Sequence, residues 1–342
     1  MTLHSIPPSS SIPRILLKDE LSRIEISEYL IHKTLPVIGL ATLIGAPSSY
    51  KTFIAIEIAA CIATGHDFYG RKCKQGKILY LTGEGKSGFG KRIKAWEQKR
   101  GCSIPNNDFA TIVDPVMLNE NLPGLREALL NHQDEYGKLS LIVIDTLNRT
   151  MAGDENSSKD MGQFVQACTQ LINEFELCCL VLHHTGKSAN NGARGHSSLL
   201  GATDIGMEVK RSKDLNVCLR FDAKPPKDDA PPPKINLVGS QVDLSDPGGT
   251  SASDTPKTSL VFDPIYSDLS AVAEPLQPAV EAAILDYLPL TPTKKSEVMK
   301  ALSTSSLAFN DKMFDRALSK LCSDNRIEST SHGYYRKVQL ST

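Results

Sequence analysis

Nine residues, Ile44-Gly45-Ala46-Pro47-Ser48-Ser49-Tyr50-Lys51-Thr52, join a glycine-led loop to a Lys-Thr pair, and Phe53 opens a strongly apolar run after them. A short apolar segment, residues 38–44, precedes the loop. Strand, loop, Lys-Thr and helix in that order are what gripping the phosphates of a nucleotide requires. Loop amides and the positive end of the following helix cradle the polyphosphate. Lys51 is placed to reach the β- and γ-phosphates, and the Thr52 hydroxyl to hold Mg²⁺. Gly45, Ala46, Pro47, Ser48, Ser49, Tyr50, Lys51, Thr52 and Phe53 are therefore the expected cofactor-binding stretch. Tyr50 stands where glycine is usual, because backbone must approach phosphate closely there. Tyrosine is expected to serve if its φ is negative and its ring points away from the ligand.

Three further groups sit at the ends of apolar runs. In an open parallel sheet, ligands gather outside the carboxyl ends of the strands. Asp145 closes Leu141-Ile142-Val143-Ile144 and is expected to hold a Mg²⁺-bound water opposite Thr52. Glu84, flanked by Gly83 and Gly85, follows the run at 77–81 and is the candidate general base for an attacking water. His183-His184 ends the run at 177–182. Neighbours on a strand face opposite sides, so one histidine of the pair is expected to face the site. A zinc centre there lacks a third and fourth ligand at familiar spacing. The Gly/Ser-rich stretch from Thr185 to Ser198 carries Lys187 and Arg194. It reads as a long basic loop able to touch nucleic-acid phosphate or a nucleotide on a neighbouring subunit. Residues 149–160 form a second, acidic loop candidate.

The elements that must position these groups alternate. Strands are predicted at 41–44, 77–81, 109–113, 139–145 and 177–183, with helices at 52–63, 87–100, 122–136 and 158–174. This pattern predicts an α/β fold with a mainly parallel sheet flanked by helices. Residues 16–35 read as a short helix leading into the core. Short strands at 207–210, 217–223 and 234–238 extend the sheet, in part antiparallel. A shift to Ser, Asp, Pro, Gly and Thr at 241–278 reads as a linker. Helices at 279–287, 295–303 and 310–324, then a hairpin over 326–338, make a winged-helix pattern. The expected organisation is an N-terminal extension (1–35), an ATPase domain (36–240), a flexible linker (241–278) and a small winged-helix domain (279–342).

Composition sets outer limits. The 342 residues carry a formal net charge of −1, so nucleic-acid binding has to come from local patches. Hydrophobic content of 40% and charged content of 23% suit a soluble globular chain. No apolar run is long enough for a membrane span, and the first residues lack the pattern of a secretion signal. The eight cysteines form no Cys-x-x-Cys pair, which fits a reduced, cytoplasmic setting. Residues 279–342 hold nine basic and seven acidic side chains. Lys312, Arg316 and Lys320 recur at a spacing of four, and Arg336 and Lys337 fall on the hairpin.

The phosphate loop, Tyr80-Leu81-Thr82-Gly83-Glu84, Leu141 to Arg149 and Val181-Leu182-His183-His184-Thr185-Gly186-Lys187 together resemble the RecA-like ATPases of plasmids and prophages. The nearest type is the RepA-like hexameric replicative helicase. Arg194-Gly195-His196-Ser197-Ser198 followed by Asp204 resembles the segment after that family's histidine motif. The resemblance covers residues 28–240. It implies hydrolysis of ATP with Mg²⁺ at subunit interfaces of a homo-oligomeric, hexameric ring, with single-stranded DNA in the channel. By position it assigns catalytic roles to Lys51, Glu84 (base), His184 (γ-phosphate sensor) and Arg194, and metal roles to Thr52 and Asp145. Arg194, Lys210, Arg211 and the Lys224/Lys227 pair compete for the cation supplied in trans, Met207 lying about where it is expected. The winged helix would engage double-stranded DNA or a replication protein. Two other readings remain at this point: a recombination or defence ATPase that does not unwind, and a DNA-binding regulator with a degenerate nucleotide site.

Overall fold

The computed structural model describes residues 17–21, 29–83, 86–184, 194–226, 230–245, 257–265, 273–303, 311–331 and 333–338. These residues fall into two compact units. One lies within Met1–Phe68 and Lys72–Asp263, the other within Tyr69–Arg71 and Pro264–Thr342.

The first unit opens with a four-residue helix, α1 (Lys18–Leu21), and a small antiparallel pair, β1 (Tyr29–Ile31) and β2 (Leu35–Pro36). The single helix expected over 16–35 is thus corrected. Leu30, Ile31 and Leu35 are fully buried, and the chain bends sharply between them at Lys33, whose φ is 53°. Then follow β3 (Gly39–Gly45), α2 (Lys51–Thr64), β4 (Lys77–Thr82), α3 (Lys86–Arg100), β5 (Phe109–Ile112), α4 (Leu118–Tyr136), β6 (Leu139–Asp145), α5 (Leu147–Thr150), α6 (Ser158–Phe175), β7 (Cys178–His184) and α7 (Arg194–Ala202). Four more strands complete it: β8 (Ile205–Arg211), β9 (Asn216–Lys224), β10 (Ile235–Asp243) and β11 (Thr258–Pro264).

Nine strands form one sheet in the order β11-β10-β9-β8-β3-β7-β6-β4-β5. The six from β8 to β5 are joined by parallel pairings. Central strands β6 and β7 are apolar almost throughout, as strands covered on both faces must be. α2 is apolar around most of its circumference and buries eleven of its fourteen residues. On a helix that pattern means burial on nearly every side. Leu125, Leu129, Met161, Phe164, Leu171 and Phe175 of α4 and α6 pack with Leu79, Leu81, Ile142, Ile144 and Val181 in a continuous apolar core. The mixed α/β architecture fits a RecA-like phosphate-loop domain.

Beyond β8 the pairing becomes antiparallel, first with β9 and then with β10. Asp214 and Leu215, with φ of 54° and 60°, make the tight reversal that a right-twisted hairpin requires. Three further expectations are corrected here. Residues 241–278 are not linker throughout, since β10 runs to Asp243 and β11 adds the ninth strand with Val261 and Phe262 buried. Residues 194–198, expected in a loop, belong to α7. The acidic segment expected as a loop from Arg149 begins instead in α5, where Thr150 is buried and donates to the Thr146 carbonyl at 3.1 Å.

The second unit contains α8 (Ala273–Tyr287), β12 (Thr293–Lys294), α9 (Lys295–Ser303), α10 (Asp311–Ser323), β13 (Ile327–Ser331) and β14 (Tyr334–Lys337). Its three strands pair antiparallel in the order β12-β14-β13. Val280, Ile284, Val298, Leu302, Phe314, Leu318, Leu321 and Ile327 form its core.

Candidate nucleotide-phosphate site

Strand order decides which side chains meet. β3, β7, β6 and β4 lie side by side, so the residues at their carboxyl ends share one edge of the sheet. Gly45 pairs with His184, Ile144 with Val181, and Thr82 with Asp145. β7 separates β3 from β6, which puts Asp145 two strand spacings, roughly 10 Å, from the phosphate-loop strand.

The loop itself is tightly held. A Cβ on Gly45 would stand 2.6 Å from the Val209 carbonyl oxygen and 2.8 Å from Ser49 Oγ, so only glycine fits. Lys51 is buried, and its ammonium donates to the carbonyls of Gly45 at 2.8 Å and Ala46 at 2.9 Å. Its Nζ also lies 3.0 Å from His184 Nδ1. An ammonium only donates, so Nδ1 accepts and the imidazole carries its proton on Nε2. His183, the neighbour, is buried with Ile44 as its strand partner. Of the histidine pair, His184 therefore faces the loop.

Asp145 is buried at the tip of β6 and accepts a hydrogen bond from the Tyr80 hydroxyl at 2.7 Å. Sequence reasoning passed over Tyr80. Its signal was a tyrosine inside a buried apolar strand, where the hydroxyl needs a partner. The Asp145 carbonyl accepts from the Gly83 amide at 2.8 Å, and the Asp145–Thr146 peptide bond is cis. A Cβ on Gly83 would stand 2.5 Å from Arg149 Cβ, so the backbone just before Glu84 runs close against α5. Glu84 itself lies outside the described residues.

Tyr50 departs from expectation. Its φ is 70° and ψ 21°, the left-handed region that glycine adopts without strain, so the negative φ set as a condition for tyrosine is not met. Tyr50 is the residue at which the loop turns into α2, and the surroundings of its ring hold it there. The ring turns toward Phe262 of β11 (centroids 5.0 Å apart) and Phe53 (5.9 Å). The Arg211 guanidinium lies 4.7 Å over it and donates to the Ser48 carbonyl at 3.3 Å.

The described residues fit a bound polyphosphate. Ser49 Oγ is buried inside the loop with no hydrogen-bond partner among the described residues. No side-chain hydrogen bond from Tyr50 caps the start of α2. Thr52, half-buried in the first turn, and Asp145 supply the oxygen donors that Mg²⁺ selects.

The cations considered for action in trans separate clearly. Lys210 pairs with Glu208 at 3.3 Å, and Lys224 caps α7 through the carbonyls of Leu200 (2.7 Å) and Gly201 (2.8 Å). Arg211 contacts its own loop. Met207 is fully buried beside Leu43, where a cation would have no exit. The Arg194 side chain and all of Lys227 lie outside the described residues.

No helix among the described residues is long and apolar enough to cross a membrane. No curated protein matches the chain. The family model described as "AAA domain" matches residues 6–190. That is more than half of the chain, and it contains the phosphate loop, Asp145 and the histidine pair. The chain therefore belongs to the AAA domain family, and it is an ATPase of the phosphate-loop type.

Proposed function

We propose that this ATPase is a motor on single-stranded DNA, a helicase or translocase of plasmid- or phage-type replication that works as a homo-oligomeric ring. The contact between Lys51 and His184 carries the reading. It joins the phosphate loop to the tip of β7, from which the basic segment 185–198 departs. A lysine recruited to a terminal phosphate leaves its histidine partner, so the state of the nucleotide reaches that segment through one hydrogen bond. Mg-ATP, held by the loop amides, Lys51, Thr52 and Asp145, supplies the phosphoanhydride and the charge-neutralising metal. Tyr80 fixes the Asp145 carboxylate toward that position, Glu84 serves as base for water, and Arg194 is the cation offered to a neighbouring subunit.

The second unit supports a winged-helix reading through its order α8-β12-α9-α10-β13-β14 and its sheet order. Its partner would be double-stranded DNA or a replication protein. The test is ATP turnover with and without single-stranded DNA, followed by strand displacement. Stimulation with unwinding is expected. Turnover unmoved by DNA defeats the motor, and stimulation without unwinding favours a recombination or defence ATPase. The left-handed Tyr50 favours a second reading, a DNA-binding regulator with a degenerate site. Under it, Lys51→Ala leaves function intact. Under the motor reading, Lys51→Ala abolishes turnover.

A further inference from the structure

We infer that Tyr50 is a positioning residue, its ring latching the phosphate loop to β11 through Phe262 under the guanidinium of Arg211. This rests on the phosphate-site reading and concerns what holds the loop ready. A glycine at φ 70° would reach this geometry without strain but would also leave it freely. A tyrosine resists the geometry and keeps it only where the surroundings hold the ring. Phe262 is 2% exposed and lies 5.0 Å from the Tyr50 ring, and it also meets Phe53, in the first turn of α2, at 5.9 Å. Arg211 covers the ring at 4.7 Å while its N–H reaches the Ser48 carbonyl, so one guanidinium touches both the loop backbone and the latch. Arg92 lies 4.8 Å over the Phe53 ring and extends the same stack.

β11 is itself tied to the helix that the loop opens. Arg100 of α3 donates to Asp263 at 2.5 Å, to the Phe262 carbonyl at 3.1 Å and to both Glu57 oxygens at 2.9 and 3.0 Å. The seat for the Tyr50 ring is thus fixed from behind. With the ring seated, the amides from Ser48 to Thr52 are ordered before a nucleotide arrives, and binding does not have to supply that order.

The experiment compares full-length wild type with Tyr50→Gly, Tyr50→Phe, Phe262→Ala and Phe262→Leu. Each is measured for affinity toward a slowly hydrolysed Mg-ATP analogue, for KM and kcat, and for melting temperature. Tyr50→Gly is expected to weaken binding and raise KM roughly tenfold with a much smaller change in kcat, without lowering the melting temperature. Tyr50→Phe keeps the ring and is expected to retain the affinity. Phe262→Ala shifts KM in the same direction as Tyr50→Gly, and the milder Phe262→Leu shifts it less if the alanine variant fails to fold. Tyr50→Gly binding as tightly as wild type, or a Phe262 loss confined to melting temperature, overturns the latch. A wild-type chain that binds no nucleotide overturns the phosphate site and the latch together.

Discussion

At the tip of β7, His184 can serve Lys51 in two ways, as a support that keeps the lysine in place or as a relay of what the lysine touches. The two differ in kinetics. Loss of a support weakens nucleotide binding and turnover together, whereas loss of a relay lowers turnover stimulated by DNA and spares affinity. His184→Ala is expected to reduce DNA-stimulated kcat about tenfold, within the 1–3 kcal/mol usual for coupling between sites. Analogue affinity should change only slightly, and an equal loss in both would leave His184 as a support. A second single-residue expectation concerns Gly83. Its added methyl would meet Arg149 Cβ, close to backbone, at 2.5 Å, so Gly83→Ala should destabilise by about 1–3 kcal/mol in urea unfolding. The places of Lys51, Thr52 and Asp145 were legible in the sequence because they depend on local order, loop before helix and acid after strand. The φ of Tyr50 was not, since nothing in nine residues announces that a distant strand will seat the ring. Tyr80 was hidden for the same reason: its partner lies 65 positions away.

α2, α3 and β11 converge on Glu57 and Arg100. Burial drives the Glu57 carboxyl above the usual carboxylate range, and the Arg100 guanidinium only partly offsets this. Arg100 itself is half-buried between Glu57 and Asp263. Removing the guanidinium leaves a buried carboxylate unpaired, and Arg100→Ala is expected to cost about 3 kcal/mol, read as a shift in the urea midpoint. The pH dependence follows from the direction of the shift. A carboxyl raised in the folded state contributes stability that is full below its unfolded value and is lost as pH rises through the folded value. Glu57→Gln removes that dependence, so its stability relative to wild type should increase as pH rises from 4.5. A constant difference across the series would refute the assignment. The parallel strands were legible as elements because each is a short apolar run bounded by turn residues. β11 was not. Ser259-Leu260-Val261-Phe262 is only four residues long amid Ser, Asp and Pro, and its strand exists through pairing at the sheet edge and through Arg100.

Across the whole molecule a net charge of −1 gives no general attraction for DNA, so the duplex contact proposed for the second unit needs a local patch of cations. Several of its cations are already engaged. Lys320 lies 3.3 Å from Glu281, Lys295 2.5 Å from Asp315, and Arg336 is paired with Glu328. Of the cations singled out in the sequence, Arg316 stands exposed on α10 and Lys337 is half-buried on β14, while the Lys312 side chain lies outside the described residues. Each phosphate contact contributes about 0.9 to the slope of log K against log salt. Arg316→Ala with Lys337→Ala in the full chain should therefore lower that slope for duplex DNA by about two, with similar losses on unrelated sequences. ATP turnover without DNA should hold, because neither residue belongs to the unit carrying the phosphate loop. If the slope is unchanged while the chain still binds duplex, the contact lies elsewhere. If the wild-type slope is itself near zero, the second unit recognises protein.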